Sequence, residues 1–191
     1  MDNQLAKNLN QSFMNELQSF GKKITFTKDN NPITYENAEK YFYIIMSGKI
    51  KIYNINFNTN REQTLFLLHR GDMFDSIVLL DGLPHDILTD VLEDGEAIEI
   101  PINRVREWMK ENESFQSYLL PYLSRQLRNL EELSTDLSLL NTSERLTKLI
   151  IKDIESSGEL LRGLSHKEMG NLIGTVRHVI ERHLKENQVI K

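Results

Sequence analysis

Cysteine is absent from the 191 residues of this sequence. Its absence excludes disulfides, thiol chemistry, cysteine-ligated zinc and an all-cysteine iron–sulfur cluster within these residues. Long apolar runs are also missing, since none approaches the roughly 20 residues that span a bilayer. The first seven residues lack the apolar core of a signal peptide, so we expect a cytoplasmic protein with no membrane partner.

Recognisable catalytic patterns are missing as well. The sequence has no nucleophile–base pair, metal-ligand spacing or phosphate-binding loop in a familiar arrangement, so we expect neither an enzyme nor a metal site. The hydrophobic fraction of 39% is sufficient for globular cores, and the length accommodates a medium-sized and a small domain.

Negative charge dominates the chain, but it is unevenly distributed. The net charge is −5, yet residues 162–191 carry six Lys or Arg against three Glu, which gives +3 there and leaves −8 for the rest. A basic end on an acidic body is typical of a protein that contacts phosphates with one local surface. Uneven surface charge without any partner is the alternative interpretation.

Short runs of alternating apolar residues predict strands between Lys23 and Ile100. The clearest runs are Tyr41–Met46, Lys49–Tyr53, Gln63–Leu68 and Ala97–Ile100. Turn signals such as Ser47-Gly48 and Asp94-Gly95 separate them. This regular spacing predicts an antiparallel barrel or sandwich, preceded by a helix from Leu5 to Phe20 and followed by another after Pro101.

A long helix is predicted from Ser114 to Leu140, with Pro121 marking either its true start or a kink. Leucines recur on it at heptad spacing, with Gln126 in the one missing position. A helix of about 25 residues is near 40 Å long, too long for a small barrel to cover, so a second copy of the chain is the expected partner. Burial inside one chain is the alternative. The candidate interface residues are Leu119, Leu123, Leu127, Leu130, Leu133, Leu137 and Leu140.

A further amphipathic helix is predicted from Thr142 to Ser156, where Ser156-Ser157-Gly158 ends it. After it, Ser165 and Glu168 have the spacing of a capping box, so a helix should begin at His166. Gly170 allows close approach of a second helix, and Gly174 supplies the positive φ of a helix end.

Thr175 can cap the next helix, which turns Arg177, His178, Glu181 and Arg182 outward. Two short helices with a tight turn and exposed cations are typical of a helix-turn-helix reader of double-stranded DNA, in which Arg177 or Arg182 binds guanine and Lys167 and Lys185 hold phosphates. An ordinary helical hairpin is the alternative. The candidate DNA-contacting residues are Lys167, Thr175, Val176, Arg177, His178, Glu181, Arg182 and Lys185.

With these elements in this order, the sequence resembles the Crp/Fnr family of bacterial transcription regulators over nearly its whole length. The resemblance is carried by Gly48 in Ser-Gly-Lys-Ile-Lys-Ile-Tyr, by Gly71-Asp72-Met73-Phe74 and by residues 168–182. It implies an α+β chain with a β-roll of cyclic-nucleotide-binding type (residues 1–112), a dimerisation helix (113–141) and a helix-turn-helix domain of winged type (142–191). It also implies a homodimer on DNA, with RNA polymerase as a further partner.

By that resemblance, Arg177, His178 and Arg182 occupy base-reading positions. The family usually has Glu at the middle position, so His178 implies an altered operator preference. The family also continues into a β-hairpin wing after the last helix, whereas this sequence stops at Lys191, so we expect a truncated or absent wing.

The effector positions depart from the family. Members that bind cyclic AMP have a Gly-Glu pair and an Arg-Ser or Arg-Thr pair where this sequence has Asp75-Ser76 and His85-Asp86, and acidic groups beside a phosphate reverse the required electrostatics. Leu130-Glu131 replaces the hydroxyl pair that faces adenine. We therefore do not expect a cyclic nucleotide. The candidate effector-pocket residues are Gly71, Asp72, Phe74, Asp75, Ser76, His85, Asp86, Leu130 and Glu131.

The identity of any cofactor stays open from the sequence. Haem is a candidate, with His69 and His85 as axial ligands, although Ile77 stands about where a haem-binding relative has its axial His. A sensor domain with a purely structural role is the other alternative.

Overall fold

A computed structural model of the chain describes Ser19, residues 21–111 and residues 113–188. Apart from Ser19, the helix predicted over Leu5–Phe20 lies outside the described residues, and so does the question of a wing. Among those that are described, no helix is both long and apolar enough to cross a membrane.

The elements in chain order are β1 (Lys22–Phe26), α1 (Tyr35–Ala38), β2 (Tyr41–Asn56), β3 (Arg61–Leu68), β4 (Met73–Phe74), α2 (Ser76–Asp81), β5 (Leu88–Pro101), α3 (Ile102–Glu111), α4 (Glu113–Leu139), α5 (Thr142–Glu155), α6 (His166–Leu172) and α7 (Arg177–Gln188).

The chain divides into two compact units. The first unit runs up to Ile52 and resumes from Phe66 to Arg125, and the second comprises Tyr53–Leu65 and the residues from Gln126 onward. The second unit therefore contains the connection between β2 and β3 as well as the C-terminal helices. We call Tyr53–Leu65 the hairpin tip.

An antiparallel sheet forms the framework of the first unit. Its strands follow the order β1-β5-β2-β3, with β4 paired to β2. β1 and β5 run antiparallel with Lys22 opposite Glu99 and Phe26 opposite Gly95. The predicted α+β class with an N-terminal antiparallel sheet is confirmed.

Gly48 and Gly95 lie inside long strands, which corrects the prediction of turns at Ser47-Gly48 and Asp94-Gly95. Gly48 has φ of +83°, and a Cβ there would lie 2.7 Å from the Glu93 carbonyl oxygen. A Cβ at Gly95 would lie 2.1 Å from the Ser47 carbonyl oxygen. The two glycines are needed because two backbones cross at contact distance.

Helices α3 and α4 complete the core of the first unit. Val105 of α3 and Phe115, Leu119 and Tyr122 of α4 are buried in one cluster with strand residues, and Trp108 packs against that cluster. Pro121 lies inside α4 and does not mark its start.

The second unit has its own core, built from α5, α6 and α7. Its buried members are Leu146, Leu149, Met169, Ile173 and Ile180. α5 ends at Glu155, one residue from the predicted end. It begins with a capping box that the sequence prediction missed, in which Asn141 accepts from the Glu144 amide and the Glu144 carboxylate accepts from the Asn141 amide. The Asn141-x-x-Glu144 spacing was the available signal.

Candidate DNA-binding interface and sensor site

The first helix of the predicted reader begins where the sequence places it. Ser165 has an extended backbone, and its hydroxyl accepts a hydrogen bond of 3.2 Å from the Glu168 amide. The N-cap prediction is confirmed, because α6 starts at His166. This bond satisfies one of the amides that a helix leaves unpaired at its start.

Two glycines determine the turn that follows. A Cβ at Gly170 would lie 3.0 Å from the Thr175 carbonyl oxygen, so the turn residues pack directly on α6. Gly174 has φ of +67°, and a Cβ there would lie 2.5 Å from Leu137 Cδ2 and 3.0 Å from Gln63 Oε1. Both predicted roles for glycine are confirmed, and the contact with Leu137 adds a constraint that local sequence does not reveal.

The second helix of the reader, α7, begins at Arg177. The Val176 carbonyl accepts from the amides of Val179 at 3.0 Å and Ile180 at 3.4 Å. The prediction that Thr175 caps this helix is wrong, because the helix starts two residues later and Val176 occupies the position before it.

Helix α7 presents one apolar and one polar face. Ile180 is fully buried, and Leu184 packs against the same cluster. Arg177, His178 and Arg182 are exposed on the other side, as predicted, while Glu181 is half-buried. His183 is half-buried and pairs with Glu186, with 3.3 Å between Nδ1 and Oε2.

Carboxylates on α7 hold the exposed arginines. Arg177 Nε donates to Glu181 Oε1 at 2.6 Å, and His166 Nδ1 lies 3.5 Å from the same oxygen. The hydrogen bond from Arg177 lowers the pKa of the Glu181 carboxyl, so this residue stays ionised beside its partners. The Arg182–Glu186 pair is looser at 4.0 Å. An exposed i,i+4 pair of this kind is weak, so Arg177 can exchange Glu181 for another acceptor.

The two predicted phosphate-binding lysines have different surroundings. Lys185 is exposed near the end of α7. Lys167, in the first turn of α6, forms an ion pair of 2.7 Å with Glu62 of the hairpin tip. The hairpin tip was not predicted to take part in the reader, because it lies more than a hundred residues away in the chain.

Arg145 of α5 is a second participant that the sequence prediction missed. Its Nε donates to the Ile173 carbonyl at 2.7 Å, and its Nη1 donates to the Leu140 carbonyl at 2.6 Å. One guanidinium group therefore satisfies a carbonyl at the end of α6 and another just after α4. Its rigid fork of donors suits this bridging role.

The long helix uses its leucines in two ways. Leu119 is 2% exposed in the core of the first unit, and Leu123 packs against that core. The prediction of Leu119 as a dimer-interface residue is therefore corrected, because its side chain is already enclosed within one chain. Leu127 is 68% exposed, whereas Leu130, Leu133 and Leu140 are half-buried and Leu137 is exposed.

Ion pairs join the second half of α4 to α5. Lys148 Nζ lies 2.7 Å from both Glu132 Oε1 and Asp136 Oδ1, and Lys152 Nζ lies 2.6 Å from Glu132 Oε2. Burial raises the pKa of Glu132, but the hydrogen bonds from the two lysines outweigh it and leave that pKa lowered. These contacts fix the helix that precedes the reader to the long helix.

In the first unit, the candidate effector residues separate into two groups. The first group is a buried network around Asp72. Its carboxylate hydrogen-bonds to the amide and ring of His69 and lies 3.4 Å from Arg125 Nη2, and the Tyr118 hydroxyl donates to the Gly71 carbonyl at 3.0 Å. Burial and the nearby Asp72 raise the pKa of Tyr118 to about 12. This network attaches the first half of α4 to the strands. It also means that the Asp72 carboxylate and the Gly71 carbonyl already have hydrogen-bond partners within the chain.

The second group is Asp75 with His85. Asp75 precedes α2 with φ of +51°, and its side chain is 1% exposed. Its Oδ1 lies 2.9 Å from His85 Nδ1, and no described residue hydrogen-bonds to its Oδ2. Burial raises the pKa of the Asp75 carboxyl, against the effect of His85. The left-handed backbone of Asp75 is strained, and strained residues of this kind are common at functional positions.

The other predicted effector residues do not join this pair. Phe74 belongs to a hydrophobic core cluster, Ser76 is buried in the first turn of α2, and Asp86 is exposed. Leu130 and Glu131 belong to the second unit, where Leu130 is half-buried and Glu131 exposed.

The two candidate haem ligands each use Nδ1 for a carboxylate, His69 with Asp72 and His85 with Asp75. Ile77 is exposed. Among the described residues, no group of three or more His, Asp or Glu side chains is arranged to hold a metal ion.

Comparison with known proteins shows what the chain is similar to. Residues 24–112 match the family model described as a cyclic nucleotide-binding domain. The chain is 23% identical over 176 residues to a CRP-like cAMP-activated global transcriptional regulator of Mycobacterium tuberculosis, covering 84% of this chain and 78% of the relative. It is 26% identical over 157 residues to the cyclic AMP receptor protein of Thermus thermophilus, covering 80% and 71%.

Almost the whole chain has a fold similar to that of solved structures. The c-di-GMP-responsive global regulator CLP of Xanthomonas campestris matches with a TM-score of 0.77 and 16% identity, covering 94% of this chain and 92% of that one. At this level of identity, the match shows a shared fold.

Proposed function

Because the chain belongs to the Crp/Fnr family of transcription regulators, we propose that it binds DNA in a sequence-specific manner as a homodimer and regulates transcription in the cytoplasm. The observation that carries this proposal is the exposed triad Arg177, His178 and Arg182 on a helix whose opposite face is buried. Two crossed helices with this division place cations where a major groove can receive them.

The chemistry of the triad favours recognition of bases. A guanidinium group binds guanine O6 and N7 in a bidentate manner, and each such contact contributes about 1–3 kcal/mol of discrimination. The hydrogen bond from Arg177 to Glu181 is exposed and weak, so the guanidinium group can exchange it for a base. His178 replaces the acidic residue that the resemblance leads us to expect, which supports a different operator preference.

Dimerisation through the second half of α4 is the next part of the proposal. Leu127 and Leu137 are exposed within one chain and lie on a helix of 27 residues. A second copy is the partner that covers such a face with the same residues from both sides. The proposed interface therefore centres on Leu127 and the leucines that follow it, and excludes Leu119.

For the sensor, we propose a signal other than a cyclic nucleotide. Asp75 places a buried carboxyl group, and Asp86 an exposed one, where the resemblance puts phosphate-binding residues. Bringing a phosphate beside a buried carboxylate is costly, because two like charges repel in a medium of low dielectric constant. A sensor domain with a structural role is the second candidate, favoured by the hydrogen bonds that already occupy Asp72 and Gly71.

The test is a fluorescence anisotropy titration with a duplex from the region upstream of the protein's own gene, repeated over a series of salt concentrations. Wild-type protein should bind, and Arg177→Ala should lose about 1–3 kcal/mol of preference over a scrambled duplex. The matched control is Arg104→Ala, because Arg104 is 65% exposed against 71% for Arg177 and lies in the first unit.

Loss of preference in Arg177→Ala, with none in Arg104→Ala, supports the proposal. Absence of binding at low salt would count against it. Equal losses of affinity in the two variants would also count against it, because the loss of one positive charge lowers affinity for every sequence and shows no recognition of bases.

A further inference from the structure

The hairpin tip contacts the reader through a glutamate. Glu62 accepts from two groups of α6, with 2.7 Å to Lys167 Nζ and 2.7 Å to Asn171 Nδ2. These residues are one helical turn apart, so one carboxylate contacts both turns of the helix. All three residues belong to the second unit.

The neighbours of Glu62 hold the same helix by its backbone. Gln63 Nε2 donates to the carbonyls of Asn171 at 3.0 Å and Leu172 at 3.3 Å. Arg61 donates to the Gly174 carbonyl. Carbonyls at the end of a helix lack partners within it, so these side chains satisfy groups that would otherwise turn to solvent. Three consecutive residues of the hairpin tip therefore engage α6 from its first turn to the turn after it.

The Glu62 carboxylate binds a lysine that the proposed function assigns to a DNA phosphate. It is an anion on the ammonium group of Lys167, in the first turn of the first reader helix. The Lys167 side chain is 58% exposed, but the Glu62 side chain is only 14% exposed, against 33% for the Glu181 side chain that pairs with Arg177. The Lys167 pair is therefore less open to exchange with a phosphate than the Arg177 pair. The Glu62 carboxylate also repels the DNA backbone. The hydrogen bonds of Gln63 keep Glu62 in position.

We propose that the hairpin tip is an autoinhibitory clamp, in which Glu62 withholds Lys167 from the DNA backbone until the clamp is released. This inference rests on the proposed function, since it requires that α6 and α7 bind DNA. The hairpin tip is formed by the ends of β2 and β3, so it is continuous in sequence with two strands of the sensor sheet.

The first test measures affinity for a random-sequence duplex, because backbone contacts do not depend on sequence. Glu62→Gln should bind about 1.5- to 5-fold more tightly per subunit, the range expected when an exposed ion pair no longer competes. The slope of log affinity against log salt should become steeper by about 0.9 per subunit, since one more phosphate is contacted. When Lys167 is already replaced by Gln, Glu62→Gln should raise the affinity for DNA no more than the control variant Glu39→Gln does.

The control is Glu39→Gln, which changes the net charge equally at an exposed position of the first unit. If wild-type protein binds DNA in an Arg177-dependent manner while Glu62→Gln binds no better than Glu39→Gln, or more weakly, the clamp is refuted and the proposed function stands. If wild-type protein binds no duplex at low salt, both are refuted.

A second measurement can contradict the clamp with the wild-type protein alone. Acetic anhydride acetylates exposed lysines, and mass spectrometry gives the rate at each site. Lys167 and Lys185 are both exposed, so the ion pair with Glu62 is the difference that the experiment tests. The clamp predicts that Lys167 of the wild-type protein reacts several-fold more slowly than Lys185, and that Glu62→Gln removes most of that difference. Equal rates at the two lysines in the wild-type protein would contradict the clamp.

Discussion

Truncation of Leu127 tests the proposed dimer interface directly. This side chain is 68% exposed in one chain, so Leu127→Ala removes little that stabilises the folded subunit. Complete burial of a leucine contributes about 1.5–3 kcal/mol, so covering its exposed part in both copies contributes roughly 2–4 kcal/mol to a dimer. The dissociation constant of Leu127→Ala should therefore rise about 30- to 700-fold.

Sedimentation equilibrium over a range of concentrations measures that constant, and circular dichroism melting checks the subunit. Leu83→Ala is the matched control, because Leu83 is 64% exposed and lies on a loop of the first unit. The reasoning would be refuted if Leu127→Ala dimerised as tightly as Leu83→Ala, or if both chains were monomeric together with the wild type.

Three further predictions follow from individual contacts. His178→Glu should change the preferred bases at one position of each half-site, measured by selection from random duplexes, because this residue lies beside Arg177 on the exposed face. Gly174→Ala should lower the melting temperature of the second unit, since a Cβ at φ of +67° would also meet Leu137, and a left-handed backbone costs a residue other than glycine about 1–2 kcal/mol. His69 should make stability depend on pH, because its hydrogen bond with Asp72 raises the pKa of the imidazole above its ordinary value, against a smaller opposing effect of desolvation. That stabilisation is complete below the unfolded pKa of about 6.5 and is lost as the pH rises through the folded pKa, so melting scans across this window should show a fall that His69→Gln lacks.

The reader could be predicted in detail because its signals are local. Ser165 caps the helix whose third residue is Glu168, and Gly174 ends it with a positive φ, so each assignment needs only a few neighbouring residues. The same local reasoning failed for Thr175. Its side chain suits a cap, but the helix begins at Arg177, so the capping position is Val176.

Contacts between distant residues could not be predicted. Gly48 and Gly95 read as turns because glycine is common in turns, whereas here each is required by the backbone of the other strand. Glu62 has no feature in sequence that connects it to Lys167, 105 residues later. The partners of these residues are determined by how the chain folds back on itself.

The heptad pattern predicted the apolar face of the long helix, but it did not predict which surface covers that face. Leu119 and Leu127 are both leucines of that helix, yet one is buried in the first unit and the other is exposed in the second. Periodicity reports that a face avoids water, and the structure is needed to show which part of that face the same chain already covers.

Guanine methylation interference tests the central claim most directly, because methylation at N7 blocks the major-groove atom that an arginine binds. For the duplex upstream of the gene, we predict that methylation prevents binding at guanines in two half-sites whose centres are about 34–36 Å apart, and that Arg177→Ala removes the effect at one position of each half-site. Binding that tolerates methylation at every guanine, or interference confined to a single half-site, would contradict a dimeric reader of the major groove.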